Sequence, residues 1–262
     1  VRIDIVVDET KQYISVRDNG VGITSDAVSS VLLSVGKSQK RHSKNRGFRG
    51  IGRLGGMSYC DTLTFTTSSE GENIATTVSF DCKKLREMLV PDAYEEFDLA
   101  SVLTSVTTIT QNDEASHKHY FVVEMFDVDP LSGLLDYDDI EDYISQVAPL
   151  PYRSRIFSRA TDIRRHLADF GYAIEEFPIF IGKNELDLEP IYKPNRNHFH
   201  SDRNKMKPDE ILDVRYFSVP IAGSVCAVGW YALGNWYGMI SEDNIGGLRV
   251  RKGNILIGDS KT

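Results

Sequence analysis

Several class-defining features are missing from this 262-residue sequence. No apolar run approaches the roughly 20 residues that a helix needs to cross a bilayer, so no membrane partner is expected. Cysteine is scarce: Cys60, Cys82 and Cys226 are odd in number and far apart. That spacing suggests neither a disulfide framework nor a zinc knuckle, and each is expected as a small core residue. A basic excess is also missing. Thirty Lys and Arg stand against 38 Asp and Glu, for a formal charge of -8. No global field therefore draws the chain to nucleic acid or anionic lipid, and a nucleic-acid partner would need a local basic patch. A secretory leader is lacking too, because the chain opens directly in the strand-like "VRIDIVV". A chain that opens in mid-strand reads as an excerpt of a longer, cytoplasmic protein.

What is present suits an ordinary globular chain, 41% hydrophobic and 26% charged. Val1 to Val7 and Tyr13 to Arg17 alternate as paired strands joined by the polar turn "DETKQ". A helix is predicted through Val28, Val31, Leu32 and Val35, with Thr24, Ser25 or Asp26 as its cap. Strands are predicted near 62–68, 73–80, 105–110 and 119–128, with a helix from Asp81 to about Leu89. After Asp129 come helices near 138–148 and 158–170. Strand-rich segments follow near 172–182, 186–193 and 212–233, ending in "GGLRVRKGN" and "ILIG". These patterns predict two α+β layered units, 1–133 and 134–262.

Two stretches carry chemistry. In "QYISVRDNGVGITSDAVSSVL", the run Asp18-Asn19-Gly20-Val21-Gly22-Ile23 joins a strand to a helix. It reads either as a hairpin turn or as a nucleotide site. A hairpin needs a returning strand, and Val21-Gly22-Ile23 is too short for one. Glycines there would let a ligand approach the backbone, and an ionised Asp is a strong acceptor for an exocyclic amino group such as that of adenine. The second stretch, Gly47-Phe48-Arg49-Gly50-Ile51-Gly52-Arg53-Leu54, is a G-x-x-G-x-G run entering a helix, where backbone amides and the helix dipole attract phosphate. Its spacing is not that of the dinucleotide fingerprint. Gly36-Lys37-Ser38 is not a P-loop either, because the glycine that should precede it is absent.

In this order, split by a helix and a basic loop, the two stretches resemble the GHKL ATPases, the superfamily of DNA gyrase, the ninety-kilodalton heat-shock chaperone, sensor histidine kinases and MutL. "DNGVGI" is similar to its adenine-binding motif, "GFRGIGRLG" to its lid motif in the MutL form, and "SVGKSQK" to the segment opening the lid. The resemblance implies a two-layer α/β sandwich of the Bergerat type, with ATP and Mg2+ as cofactors. It implies that Asp18 accepts from the adenine amino group, with Gly20, Gly22 and Ile23 around it. Gly47, Gly50 and Gly52 would wrap the phosphates, Ile51 would pack at the turn, and Ser38, Lys40, Arg49 and Arg53 would lie near the β- or γ-phosphate. Arg49, Arg53, Ser38 and Lys40 read equally as a solvated basic loop.

The sequence also departs from the family. In the family the magnesium-binding Asn and the general-base Glu belong to a helix preceding the first strand here, so neither they nor any metal ligand is expected in this chain, and Arg251 and Lys252 are the only candidates for a catalytic role. No Thr opens the strand "HKHYFVVEMFDV"; Thr107, Thr108 or Thr110 are the substitutes considered. The second half resembles the S-five-like transducer that follows the ATP site in the gyrase, MutL and heat-shock branches. In that role Arg249, Arg251 or Lys252 would reach the γ-phosphate, against a plain reading as the charged face of a strand. "NRNHFHSDRNK" reads as a polar loop before a metal site, and the acidic run from Asp136 to Asp142 as a helix start.

The function expected is that of an ATP-binding and ATP-hydrolysing, chaperone-like or MutL-like machine of bacterial type. It would homodimerise on ATP and release ADP, and would act on a protein client or nucleic acid that the sequence does not identify. The alternatives are a sensor histidine kinase and a non-hydrolysing nucleotide-sensing module.

Overall fold

The computed structural model describes residues 1–33, 52–90, 99–202, 207–221, 224–240, 242 and 244–258. The chain divides into two compact units, one of Val1–Ile140 with Phe180–Glu189, the other of Glu141–Ile179 with Pro190–Thr262.

In the first unit β1 (Ile3–Asp8) and β2 (Tyr13–Asp18) form the expected antiparallel hairpin. They are followed by β3 (Cys60–Ser68), β4 (Ile74–Asp81), α1 (Cys82–Met88), α2 (Leu99–Val106), β5 (Thr107–Asp113) and β6 (Tyr120–Val128). After α3 (Tyr137–Val147) and α4 (Ala160–Asp169), β7 (Ile179–Gly182) and β8 (Glu189–Pro190) complete one sheet of order β5-β4-β3-β6-β2-β1-β7-β8. Its registers explain its two faces. Ser15, Glu124, Thr64, Ser79 and Thr108 lie in line across neighbouring strands, and the next row is Val16, Val123, Phe65, Val78 and Ile109. In these two rows strand alternation puts the polar groups on one side and the apolar groups on the other.

On the polar side Tyr13 Oη donates to Glu124 Oε1 at 2.7 Å and Thr64 Oγ1 to Oε2 at 3.2 Å. Burial, then Glu124, pushes the Tyr13 phenol up to about 12. On the apolar side Phe65 meets Phe80 edge-on and stacks with Phe121. Helix α1 packs on β3 and against α2, burying Cys82, Leu85, Val102 and Val106. Asp81 caps α1, accepting from Lys84 N at 2.8 Å. This large mixed sheet with few helices is an α+β sandwich.

Three local expectations change. Cys60 and Cys82 are buried as expected, but Cys226 is exposed on the strand Ser224–Gly234. The helix predicted from Val28 to Val35 is, in its described part, a π-helical turn over Ser29–Leu33. Its wider winding brings i+4 nearer to one side than i+3. Val28 and Leu32 are accordingly buried, whereas Val31 is 41% exposed; Val35 lies outside the described residues. Helix α2 was hidden in a β-branched run that reads as strand; its i, i+4 pair Val102 and Val106 settles it, and β5 starts only at Thr107.

The second unit gathers Tyr152, Phe157, Ala160, Ile163 and Val214 into a core, joined by Leu167, Tyr216 and Trp230. Its long hairpin pairs β10 (Asp209–Ile221) with β11 (Ser224–Gly234), and β9 (His198–Phe199) adds to β10. The register slips at Val219/Pro220, where proline has no N–H for the ladder. A small hairpin of β12 (Val250–Lys252) and β13 (Ile255–Ile257) follows.

Candidate nucleotide site

Strand β2 ends at Asp18, which pairs with Ile3 on one side and Phe121 on the other; Phe121 in turn pairs with Thr67. Two residues on from Val16, Asp18 lies on the same face of the sheet as Val16 and Phe65, in a row with Phe121 and Thr67. Asn19 then closes the strand: its N–H donates to Arg2 O at 3.3 Å, and its Oδ1 accepts from Arg2 N at 2.6 Å. No returning strand follows, so the hairpin reading of this stretch is excluded.

The loop after Asp18 is held at several points. Gly20 N donates to Asp18 Oδ1 at 2.8 Å, and Gly20 O lies 2.7 Å from His119 Nδ1. A carbonyl only accepts, so Nδ1 carries the proton. Gly22 adopts φ +68°, and a Cβ there would stand 1.9 Å from Ser68 O, so only glycine fits. Ile23 N donates to Thr67 Oγ1 at 2.8 Å, and that hydroxyl donates to Tyr120 O at 3.0 Å. The next turn is anchored by Glu72, whose carboxylate accepts from both N and Oγ of Ser25 at 3.0–3.1 Å. Half-buried Asp18 thus keeps Oδ2 without a hydrogen bond from the described residues, while Oδ1 is fixed. That is the chemistry of an oriented acceptor for an amino group.

Asp18, Gly20, Gly22 and Ile23 are therefore brought together at one end of β2, β3 and β6. Ser38, Lys40, Gly47, Arg49, Gly50 and Ile51 lie outside the described residues. Gly52 and Arg53 open a short 3₁₀ helix, Gly52–Ser58, which leads into β3. Arg86 of α1 ties down the end of that helix, donating to Met57 O at 3.1 Å and Cys60 O at 2.6 Å and pairing with Asp61. Thr107, Thr108 and Thr110, considered at the sequence level, lie on β5, the far edge of the sheet from β2. Sequence reasoning missed Thr67, Ser68 and His119. The consecutive hydroxyls at the end of β3 were a usable signal, but nothing local pairs His119 with a loop 99 residues earlier.

In the second unit Arg249 Nη1 donates to Ile245 O and Gly246 O, and Arg251 donates to Asn254 O and Gln146 O. Lys252 is exposed. Lys193 is 2% exposed, and its Nζ donates to Leu150 O at 2.6 Å. Burial, with the Arg251 charge in the same sense, pushes its amine down to about 7. In the "NRNHFHSDRNK" stretch, Asp202 Oδ1 accepts from Met239 N and His198 lies beside Glu210. Among the described residues no group of three or more His, Cys, Asp or Glu is placed to hold a metal ion. No described helix is long and apolar enough to cross a membrane.

Residues 1–115 match the model of the family described as histidine kinase-, DNA gyrase B-, and HSP90-like ATPase. The match supports the GHKL superfamily, whose members bind ATP, for this N-terminal part of the chain. No curated protein gives a match to the chain.

Proposed function

We propose that the chain is the ATP-binding domain pair of a chaperone-like or MutL-like ATPase that dimerises on ATP, hydrolysis being an activity of the full-length protein. The observation that carries this is the Asp18 loop. One carboxylate oxygen is pinned to Gly20 N, while the other accepts no hydrogen bond from the described residues. ATP would bind by its adenine amino group at Asp18. Its phosphates would meet the Gly47–Gly52 glycines, with Ser38, Lys40, Arg49 and Arg53 supplying polar and positive groups. Magnesium, when bound with the triphosphate, would neutralise phosphate charge.

The family's transducer role would give residues 134–262 the task of relaying nucleotide state, with Arg251 or Lys252 as the basic group. ATP and ADP would differ in their contacts with the lid, and that difference in affinity is what would move the dimer equilibrium. Light scattering of the full-length protein tests this. A shift from monomer to dimer with saturating ATP and Mg2+, and back on hydrolysis to ADP, is expected. A protein that binds ATP yet stays monomeric overturns the dimer mechanism.

A further inference from the structure

We propose that His119 is a positioning residue that orients the Asp18 carboxylate for base recognition, acting through the single residue Gly20. The inference rests on the adenine assignment of Asp18 made above.

The geometry is a short relay. His119 Nδ1 donates to Gly20 O at 2.7 Å, and the N–H of the same glycine donates to Asp18 Oδ1 at 2.8 Å. Fixing the Gly20 carbonyl restricts its flanking peptides, and with them the direction of the N–H that holds Oδ1. With Oδ1 held, the carboxylate has one orientation and Oδ2 one lone-pair direction.

His119 is itself held. It ends the turn between β5 and β6, where the Glu114 carboxylate accepts from Lys118 Nζ at 2.9 Å, Ala115 N at 2.9 Å and Tyr120 Oη at 3.1 Å. Lys118, foremost among these, pulls the Glu114 carboxyl down to about 2. Ser68 Oγ lies within 3.2 Å of Lys118 O, fastening the turn to the end of β3. Thr67, one residue earlier and 1% exposed, secures the far end of the same loop through Ile23 N. The loop is thus gripped at Gly20 by the β5–β6 turn and at Ile23 by β3. Of the two grips, only the first bears directly on the residue that holds Asp18.

The role is specific to the base, which separates it from mere support of the fold. Without His119 the carboxylate loses its orientation, and only a nucleotide with an amino group to donate suffers. The test compares the affinity of the full-length protein for ATP and for purine riboside triphosphate, the same nucleotide without the 6-amino group. Wild type is expected to prefer ATP by about tenfold or more, the worth of one hydrogen bond to a charged group. In His119→Ala that preference falls toward unity while affinity for purine riboside triphosphate stays within about twofold. His119→Asn, whose amide N–H replaces Nδ1–H, recovers the preference. If His119→Ala does not fold, His119→Leu keeps the side-chain bulk without the donor and reads the same ratio against His119→Asn. An undiminished preference in the folded donor-less variant overturns the role of His119 alone. A wild type that binds both nucleotides equally overturns the adenine assignment and the relay with it.

Discussion

Gly22 and Ser68 touch backbone to backbone: a Cβ on Gly22 would lie 1.9 Å from the Ser68 carbonyl oxygen and 2.8 Å from its carbon. This approach presses the Asp18 loop onto the end of β3. At φ +68° a side chain is strained even in open space, and here the clash is with backbone that cannot rotate away. Gly22→Ala is therefore expected to destabilise the first unit by about 3 kcal/mol or more, adding steric displacement to the left-handed cost. Gly133→Ala is the control. Its φ is +76° with nothing within 4 Å, so only the conformational cost of about 1–2 kcal/mol applies. Urea unfolding of both variants checks the difference, and equal losses would refute the close approach.

Asp18→Asn is nearly isosteric and can still accept from Gly20 N through Oδ1. Its amide nitrogen would face the adenine amino group donor to donor. ATP affinity is expected to fall about ten- to hundredfold, the loss of a hydrogen bond to a charged group. Calorimetric titration reads this, while an unchanged melting temperature shows that the loop is intact.

Lys193 makes the second unit sensitive to alkaline pH. Its amine titrates near 7 when folded, against 10.5 for an ordinary lysine. Between those values the unfolded chain holds one more proton than the folded one, so stability rises with pH across that window, by at most about 1.4 kcal/mol per pH unit. Below about 7 both states are protonated and this contribution is flat. Lys193→Met removes the buried charge, and the rise between pH 7 and 10.5 should vanish from urea titrations. Persistence of the rise in the variant would assign it to another group.

Arg86 fastens the helix that follows the glycine motif. Arg86→Ala releases Met57 O and Cys60 O together and should cost about 1–2 kcal/mol, allowing for its partial exposure. Arg86→Lys should recover only part of this, since an ammonium lacks the planar fork that serves two carbonyls and Asp61 together. Hydrogen exchange at residues 56–60 is the local readout: faster exchange in the alanine variant is expected, with the β1–β2 hairpin unaffected.

Much of the first unit was legible in the sequence because its signals are local. Strand alternation from Cys60 to Ser68 and from Ile74 to Asp81 follows from Thr and apolar residues taking turns, and Asp81 stands where a helix cap must. Helix α2 was not legible, because Val and Thr read as strand until Val102 and Val106 find a core. The π winding at Ser29–Leu33 was hidden for a similar reason, since one apolar stripe suits several helical pitches.

By itself the sequence determined that a carboxylate and two glycines follow the second strand, because residue type fixes both the acceptor and the freedom of the backbone. Only the tertiary structure decided what holds that carboxylate in place. His119, Thr67 and Ser68 reach the loop from 44 to 99 residues further along the chain. Such contacts depend on strand order and register, which no local pattern of residues encodes.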